Sequence, residues 1–290
     1  MSNKVNPPGD LDLDFDAPLL GIVPMPRDGE DLLLAMLDPP PWAAEAHHAI
    51  FLALDEIVRA ADHRVLLLTS ISSDEGKSMI AVRLSASFAA AGKKVLMIDA
   101  DMRRGSLHRM LGLSNSVGFA DLLAADSAHE LTNVAQSCEV AGFSVVPRGE
   151  PAANPTELLA SKRLADVLDE AVDHYDIVIM EGPPALGLVD APCLSGMADV
   201  TVFVHQADRT PREHAKLAIR RLSQAGAGQI ALVISTCDSA QDVGGPDDAG
   251  SSNRDPGIAG QFVAEKPPFP EPAPAQAPPL HRNRQREGTS

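Results

Sequence analysis

The chain has 290 residues, 44% of them apolar, and a formal net charge of −16. That length allows one domain of roughly 200 residues with flanking segments, and the acidity argues against a general nucleic-acid binder and against direct docking on anionic lipid. The three cysteines, Cys138, Cys193 and Cys237, lie far apart with no C-x-x-C pair, so neither a disulfide framework nor a structural zinc site is expected and a reducing cytoplasm fits.

Residues 1–40 are rich in Pro, Asp and Gly and read as a flexible N-terminal segment, interrupted by the short apolar piece Leu19–Pro24. The start of the chain lacks the apolar core of a secretory signal. No stretch approaches the ~20 apolar residues of a membrane span, so no direct span is expected. Trp42–Ala61 is a predicted helix carrying His47 and His48. With no third ligand nearby, the histidine pair reads as solvated surface.

The segment from Arg64 to Ala91 carries the first chemistry. Val65–Leu68 reads as a buried strand, Thr69–Glu75 as a polar loop, and Gly76-Lys77-Ser78 opens a helix rich in Ala, Leu and Ser. A helix N-terminus behind a buried strand offers free N–H groups and partial positive charge to a phosphate. Lys77 would reach the outer phosphates and the Ser78 hydroxyl would coordinate Mg²⁺. The candidate nucleotide-contacting run is Ser73, Asp74, Glu75, Gly76, Lys77, Ser78 and Met79. Two features depart from the full P-loop pattern: Ile71 stands where it has glycine, and Asp74 brings a carboxylate into the loop.

Gly92 marks a helix stop, and Lys94–Asp99 is a second buried strand. Asp99 and Asp101 end it two residues apart, so both carboxylates could face one metal. Mg²⁺ takes oxygen ligands and keeps several waters, so one or two carboxylates suffice. Arg103 follows, placed to offset the negative charge or to stabilise a phosphate. Short helical pieces are predicted around Ser106–Leu111 and Phe119–Ala125, a strand at Phe143–Val146 and a helix at Lys162–Tyr175. Asp176–Met180 is a further buried strand ending at Glu181, whose carboxylate would hold a Mg²⁺-bound water or polarise an attacking hydroxyl. Strands at Val200–Val204 and Ile230–Ile234 flank an amphipathic helix, Arg212–Ala225.

Short apolar strands alternating with helices predict an α/β fold, a mostly parallel sheet covered on both faces. Ligands bind such sheets at the strand carboxyl ends, where all these polar motifs fall. The expected domain covers residues 41–238. From residue 239 to 290, Gly, Asp, Ser, Pro and Ala dominate, which reads as a Pro-rich disordered tail with a basic end.

Taken together, TSISSDEGKS at Thr69–Ser78, IDADMRR at Ile98–Arg104 and YDIVIMEGPP at Tyr175–Pro184 resemble the bacterial tyrosine kinases of capsule and exopolysaccharide assembly. The likeness extends from Leu19 to Ser235 through LLGIVP at Leu19–Pro24, GFADLLA at Gly118–Ala124 and PRGEPAANPTELLAS at Pro147–Ser161, with Asp190-Ala191 beyond. The resemblance implies a P-loop NTPase fold of the deviant Walker A type with ATP and Mg²⁺ as cofactors. Lys77 and Ser78 would bind the phosphates and metal, with Ser78, Asp99 and Glu181 as the metal set. Asp101 would lie near the attacking hydroxyl and Arg103 would support charge. It also implies a membrane-embedded polysaccharide chain-length regulator, a co-polymerase, as partner. The protein would be cytoplasmic and held at the inner face of the cell membrane through that partner.

The chain departs from the family pattern at several places. Ser73-Asp74 replaces Pro-Gly in the loop, and Glu181 replaces an aspartate. Glu45 is kept in the family's Glu-x-x-Arg-x-x-Arg helix, but His48 and Phe51 occupy the arginine positions used for self-association. Ser235-Thr236 stands where an adenine-reading asparagine is usual. The sequence has one tyrosine, Tyr175, so phosphorylation of a tyrosine cluster of its own is not expected. Two readings follow: phosphoryl transfer to a protein tyrosine or ATP hydrolysis, or a catalytically degenerate nucleotide-binding regulator of a polysaccharide export complex. A partition-type ATPase ranks lower, because Ser72 occupies the position of that group's lysine.

Overall fold

The computed structural model describes residues 17–25, 39–124, 129–138, 141–206 and 209–236. The tail expected at 239–290 and most of the N-terminal segment lie outside them. The described residues form one eight-stranded sheet in the order β1-β8-β7-β2-β6-β3-β5-β4. Its strands are β1 (Leu19–Pro24), β2 (Val65–Ser70), β3 (Val95–Asp99), β4 (Gln136–Cys138), β5 (Phe143–Val146), β6 (Ile177–Glu181), β7 (Val200–Gln206) and β8 (Gln229–Thr236). Every neighbouring pair is parallel except β4 against β5.

The central strands are buried along their whole length, as near-continuous Val, Leu and Ile runs require when helices cover both faces. On one face lie α1 (Pro41–Ala61) and α2 (Lys77–Ala90). Phe51 and Phe88 meet there edge to face, with ring centroids 5.1 Å apart, inside a core that also holds Ile50, Leu54, Leu66, Leu68 and Ile179. Phe88 is fully buried, so Phe88→Ala would cost about 3–5 kcal/mol. On the other face, α7 (Arg163–His174) sets Leu164, Val167, Leu168 and Ala171 against Leu67, Leu96, Ile98 and Val178. Shorter helices α3 (Leu107–Met110), α4 (Phe119–Leu123), α5 (Leu131–Val134), α6 (Pro155–Leu159) and α8 (Asp190–Ser195), and the longer α9 (Arg212–Gln224), fill the remaining connections.

Two expectations change. Leu19–Pro24, read as an apolar interruption of a flexible segment, is an ordered edge strand paired with β8, Ile22 opposite Ile234 and Pro24 opposite Thr236. Val23 is fully buried, and a proline is tolerated at such an edge. The histidine pair is also split by the helical period: His47 is buried while His48 is exposed. Burial, with the Arg83 charge second, pulls the His47 pKa down to about 4. Among the described residues no helix is long and apolar enough to cross a membrane.

Candidate nucleotide site

The strand order puts the carboxyl ends of β2, β6 and β3 side by side, and each carries one of the motifs. The connection from β2 to α2 is a tight loop. Asp74 sits in the left-handed region at φ 64°, and Gly76, the residue before α2, at φ 88°. A Cβ on Gly76 would also collide with the Met25 sulfur. Asp74 thus adopts a backbone that an aspartate tolerates better than most side chains do.

The loop is braced from within by Glu75. Its Oε2 accepts hydrogen bonds from the Ile71 N–H at 2.8 Å and the Ser72 N–H at 3.3 Å. Its Oε1 accepts the Ser72 hydroxyl at 3.1 Å and the Thr210 hydroxyl at 2.6 Å. The Ser235 hydroxyl donates to the Glu75 carbonyl at 3.0 Å. Glu75 is 1% exposed, so it acts as a buried clamp joining the loop to the segments after β7 and at the end of β8.

Lys77 and Ser78 occupy the first turn of α2. The Lys77 ammonium donates to the Ser70 hydroxyl at 3.0 Å and the Ser72 carbonyl at 3.4 Å, so the side chain lies back along its own loop. The first intrahelical bond runs from the Ile80 N–H to the Gly76 carbonyl, which leaves the N–H groups before it without helical partners. The Met79 side chain packs in the core, so of this residue only the backbone is available to a ligand. Ser73 accepts a long contact from Arg104 at 3.5 Å.

The Ser78 hydroxyl donates to Glu181 Oε1. Glu181 stands in register with Asp99 on the adjacent strand, so two carboxylates share a buried space. Asp99 is fully buried; its Oδ2 accepts the Leu107 N–H at 3.1 Å, and its Oδ1 has no hydrogen-bond partner. Gly105 comes so close that a Cβ there would collide with the Asp99 carboxylate. Burial, then the Glu181 charge, pushes the Asp99 pKa well up. Burial also raises Glu181, opposed by the Ser78 hydroxyl and the Lys77 charge.

Asp101 and Arg103 each have protein partners. The Asp101 carboxylate accepts the N–H groups of Arg103 at 3.2 Å and Arg104 at 2.9 Å, fixing the turn. Arg103 turns away from the carboxylate pair: its Nε meets Asp190 at 2.7 Å and its Nη2 the Thr156 hydroxyl at 3.0 Å. Thr156 in turn donates to Asp190 at 2.8 Å. Thr156 and Asp190 fall within the motifs matched in sequence but carry no role there, and Thr210 is not singled out by any of them; their partners lie 34, 87 and 135 residues away in sequence.

Among the described residues no group of three or more His, Cys, Asp or Glu side chains is placed to hold a metal ion. A Mg²⁺ site needs fewer protein ligands, since water and phosphate complete the shell. The orphaned Asp99 oxygen, its Glu181 neighbour and the Ser78 hydroxyl fit that donor chemistry, and a cation would offset the repulsion between the two carboxylates.

A family model described as an AAA domain matches residues 73–218, just over half of the chain. The tyrosine-protein kinase etk of Escherichia coli strain K12 is 35% identical over 193 residues, which cover 67% of this chain and 26% of that protein. The chain thus spans about a quarter of the length of the curated relatives it matches. The solved kinase domain of Escherichia coli tyrosine kinase ETK superposes with a TM-score of 0.74 at 28% identity, covering 86% of this chain and 100% of that one. The BceF tyrosine kinase domain gives 0.70 at 29% identity, covering 81% and 99%.

Proposed function

The chain belongs to the bacterial tyrosine kinase family of P-loop ATPases, and on that premise we propose that it binds Mg-ATP at the carboxyl ends of β2, β3 and β6 and serves exopolysaccharide or capsule synthesis or export. The observation that carries the reading is the placement of Lys77 and Ser78 at the first turn of α2, with Ser78 bonded to Glu181 and Glu181 beside Asp99. Lys77 and the α2 N–H groups hold phosphate oxygens. Ser78, Asp99 and Glu181 would hold the metal, which would supply charge neutralisation to the phosphates.

Asp101 lies two residues from Asp99 and would take the acceptor hydroxyl's proton. In transfer, the acceptor oxygen forms its bond to the terminal phosphorus while the bond to the ADP oxygen breaks. The leaving oxygen keeps the electron pair, and the hydroxyl proton passes to Asp101. The acceptor is a protein tyrosine, or water in simple hydrolysis. A membrane-embedded chain-length regulator is the partner that would place the protein at the inner face of the membrane.

A second reading, a nucleotide-binding regulator without turnover, draws support from Asp101 and Arg103, whose side chains are engaged in the turn and with Asp190. The two part in a phosphate-transfer assay with labelled ATP, Mg²⁺ and a tyrosine peptide. The kinase reading expects labelled peptide or released phosphate, reduced at least a hundredfold by Asp101→Asn. Nucleotide binding with no turnover, peptide present or absent, would establish the regulator instead.

A further inference from the structure

Arg103 is committed to Asp190 and Thr156, so the cation that the turn after β3 offers to the crevice is the next one, Arg104. The turn itself is fixed. Asp101 Oδ1 accepts the Arg104 N–H at 2.9 Å, the Asp101 carbonyl accepts the Gly105 N–H at 2.7 Å, and Arg148 Nη1 donates to the Arg103 carbonyl at 3.2 Å. Gly105 is packed against the Asp99 carboxylate, which leaves the turn no room to shift toward the sheet. The Arg104 side chain is exposed, and among the described residues it forms no ion pair with a carboxylate. Its Nη1 donates to the Ser73 hydroxyl, in the loop after β2, at 3.5 Å.

That contact crosses the site. β6 lies between β2 and β3, so the two loops leave the sheet about 10 Å apart at the usual strand spacing. Arg104 spans this gap over the end of β6, where Glu181 stands with Ser78 and Asp99. Lys77 lies along the loop after β2, back on Ser70 and Ser72; Arg104 reaches the same loop from the β3 side. Asp99, on the strand that leads into this turn, belongs to the proposed metal set, and such a metal bridges the outer phosphates, so the β3 side is the terminal-phosphate side. A 3.5 Å contact with a neutral hydroxyl is at the outer limit of hydrogen bonding, whereas a guanidinium takes phosphate oxygens in short, charge-assisted, paired bonds. Ser73 is therefore a partner that Arg104 gives up readily to an anion in the crevice.

We propose that Arg104 reads the terminal phosphate of the nucleotide: with a triphosphate in the crevice its guanidinium exchanges the Ser73 hydroxyl for γ-phosphate oxygens, and with a diphosphate it stays on Ser73. The proposal rests on the nucleotide reading above. It assigns selectivity for a nucleoside triphosphate over a diphosphate to the turn after β3, and leaves Lys77 to serve both ligands. Because the side chain is exposed, the preference weakens with salt.

The test is titration calorimetry of the full chain in Mg²⁺, with ADP and with a non-hydrolysable ATP analogue, so that turnover plays no part. The wild type should bind the analogue about tenfold tighter than ADP. Arg104→Gln should remove most of that preference by weakening the analogue alone, and Arg104→Lys should restore part of it, with ADP affinity and melting temperature unchanged. Arg109→Gln, which removes an exposed charge from α3, should leave the preference intact. A wild type that binds both nucleotides without preferring the analogue, or a preference that survives Arg104→Gln, would overturn the role of Arg104 and leave the nucleotide site standing. Equal weakening of both ligands in Arg104→Gln, or the same change in Arg109→Gln, would also overturn it, as an effect of general charge. A folded wild type that binds neither nucleotide would remove the site itself, and the proposal with it.

Discussion

The loop after β2 and the loop after β3 meet at one end of the sheet, yet they treat their polar groups in opposite ways. In the first, Glu75 accepts four hydrogen bonds on its carboxylate and one on its carbonyl, and Lys77 folds back on Ser70 and Ser72. The fold satisfies itself there. In the second, Asp99 keeps one oxygen without a partner, in register with Glu181, under a raised pKa. An unsatisfied buried carboxylate pair is destabilising by itself, so its persistence beside a phosphate-type loop points to a cation. The difference separates the frame that holds a ligand from the groups that await one.

Breaking the frame should have the largest effect on stability. Glu75→Ala strands the Ile71 and Ser72 N–H groups and the Thr210 hydroxyl, and should destabilise the protein by about 3 kcal/mol, read as a lower urea midpoint. Thr210→Val should recover a smaller part of that loss pattern on its own. Crowding the second loop comes next. Gly105→Ala drives a methyl into the Asp99 carboxylate and should cost about 2 kcal/mol, with loss of any Mg²⁺ response in thermal unfolding. A frame that tolerated Glu75→Ala while Gly105→Ala unfolded the chain would reverse the comparison.

The third test depends on pH. Both Asp99 and Glu181 are raised above their unfolded values, so the folded state binds more protons than the unfolded chain across that window. Stability therefore falls as pH rises from the ordinary carboxyl range through the raised values. Asp99→Asn removes the larger part of that slope: in the absence of Mg²⁺ it should equal the wild type near pH 4 and exceed it at pH 8. Added Mg²⁺ should stabilise the wild type at pH 8 and leave the variant unmoved. The smallest effect is expected at Asp74→Gly. Relief of the φ 64° backbone is offset by a looser unfolded chain, so the net change stays under about 1 kcal/mol, while nucleotide affinity rises as a carboxylate leaves the phosphate loop.

How much of this was legible in sequence follows from the range of each signal. The six strands with long apolar runs, and the helices around them, were readable because burial on both faces writes a continuous local pattern. The strand Leu19–Pro24 was hidden because an edge strand carries a weak pattern and its proline and glycine resemble linker. That Lys77, Ser78, Asp99 and Glu181 would fall together at one end of the sheet was readable from their position just past apolar runs. The Arg103–Asp190 pair could not be read in advance because the two residues lie 87 positions apart, and side-chain direction at a strand end is a tertiary fact. His47 and His48 looked alike until α1 had a face to bury.

The most direct measurement is titration calorimetry of the full chain with Mg-ATP, wild type beside Lys77→Ala, with folding of both checked by thermal melts. The account predicts one site in the wild type and at least a hundredfold weaker binding in the variant. Heat that persists unchanged in Lys77→Ala, or none in a folded wild type, would contradict it.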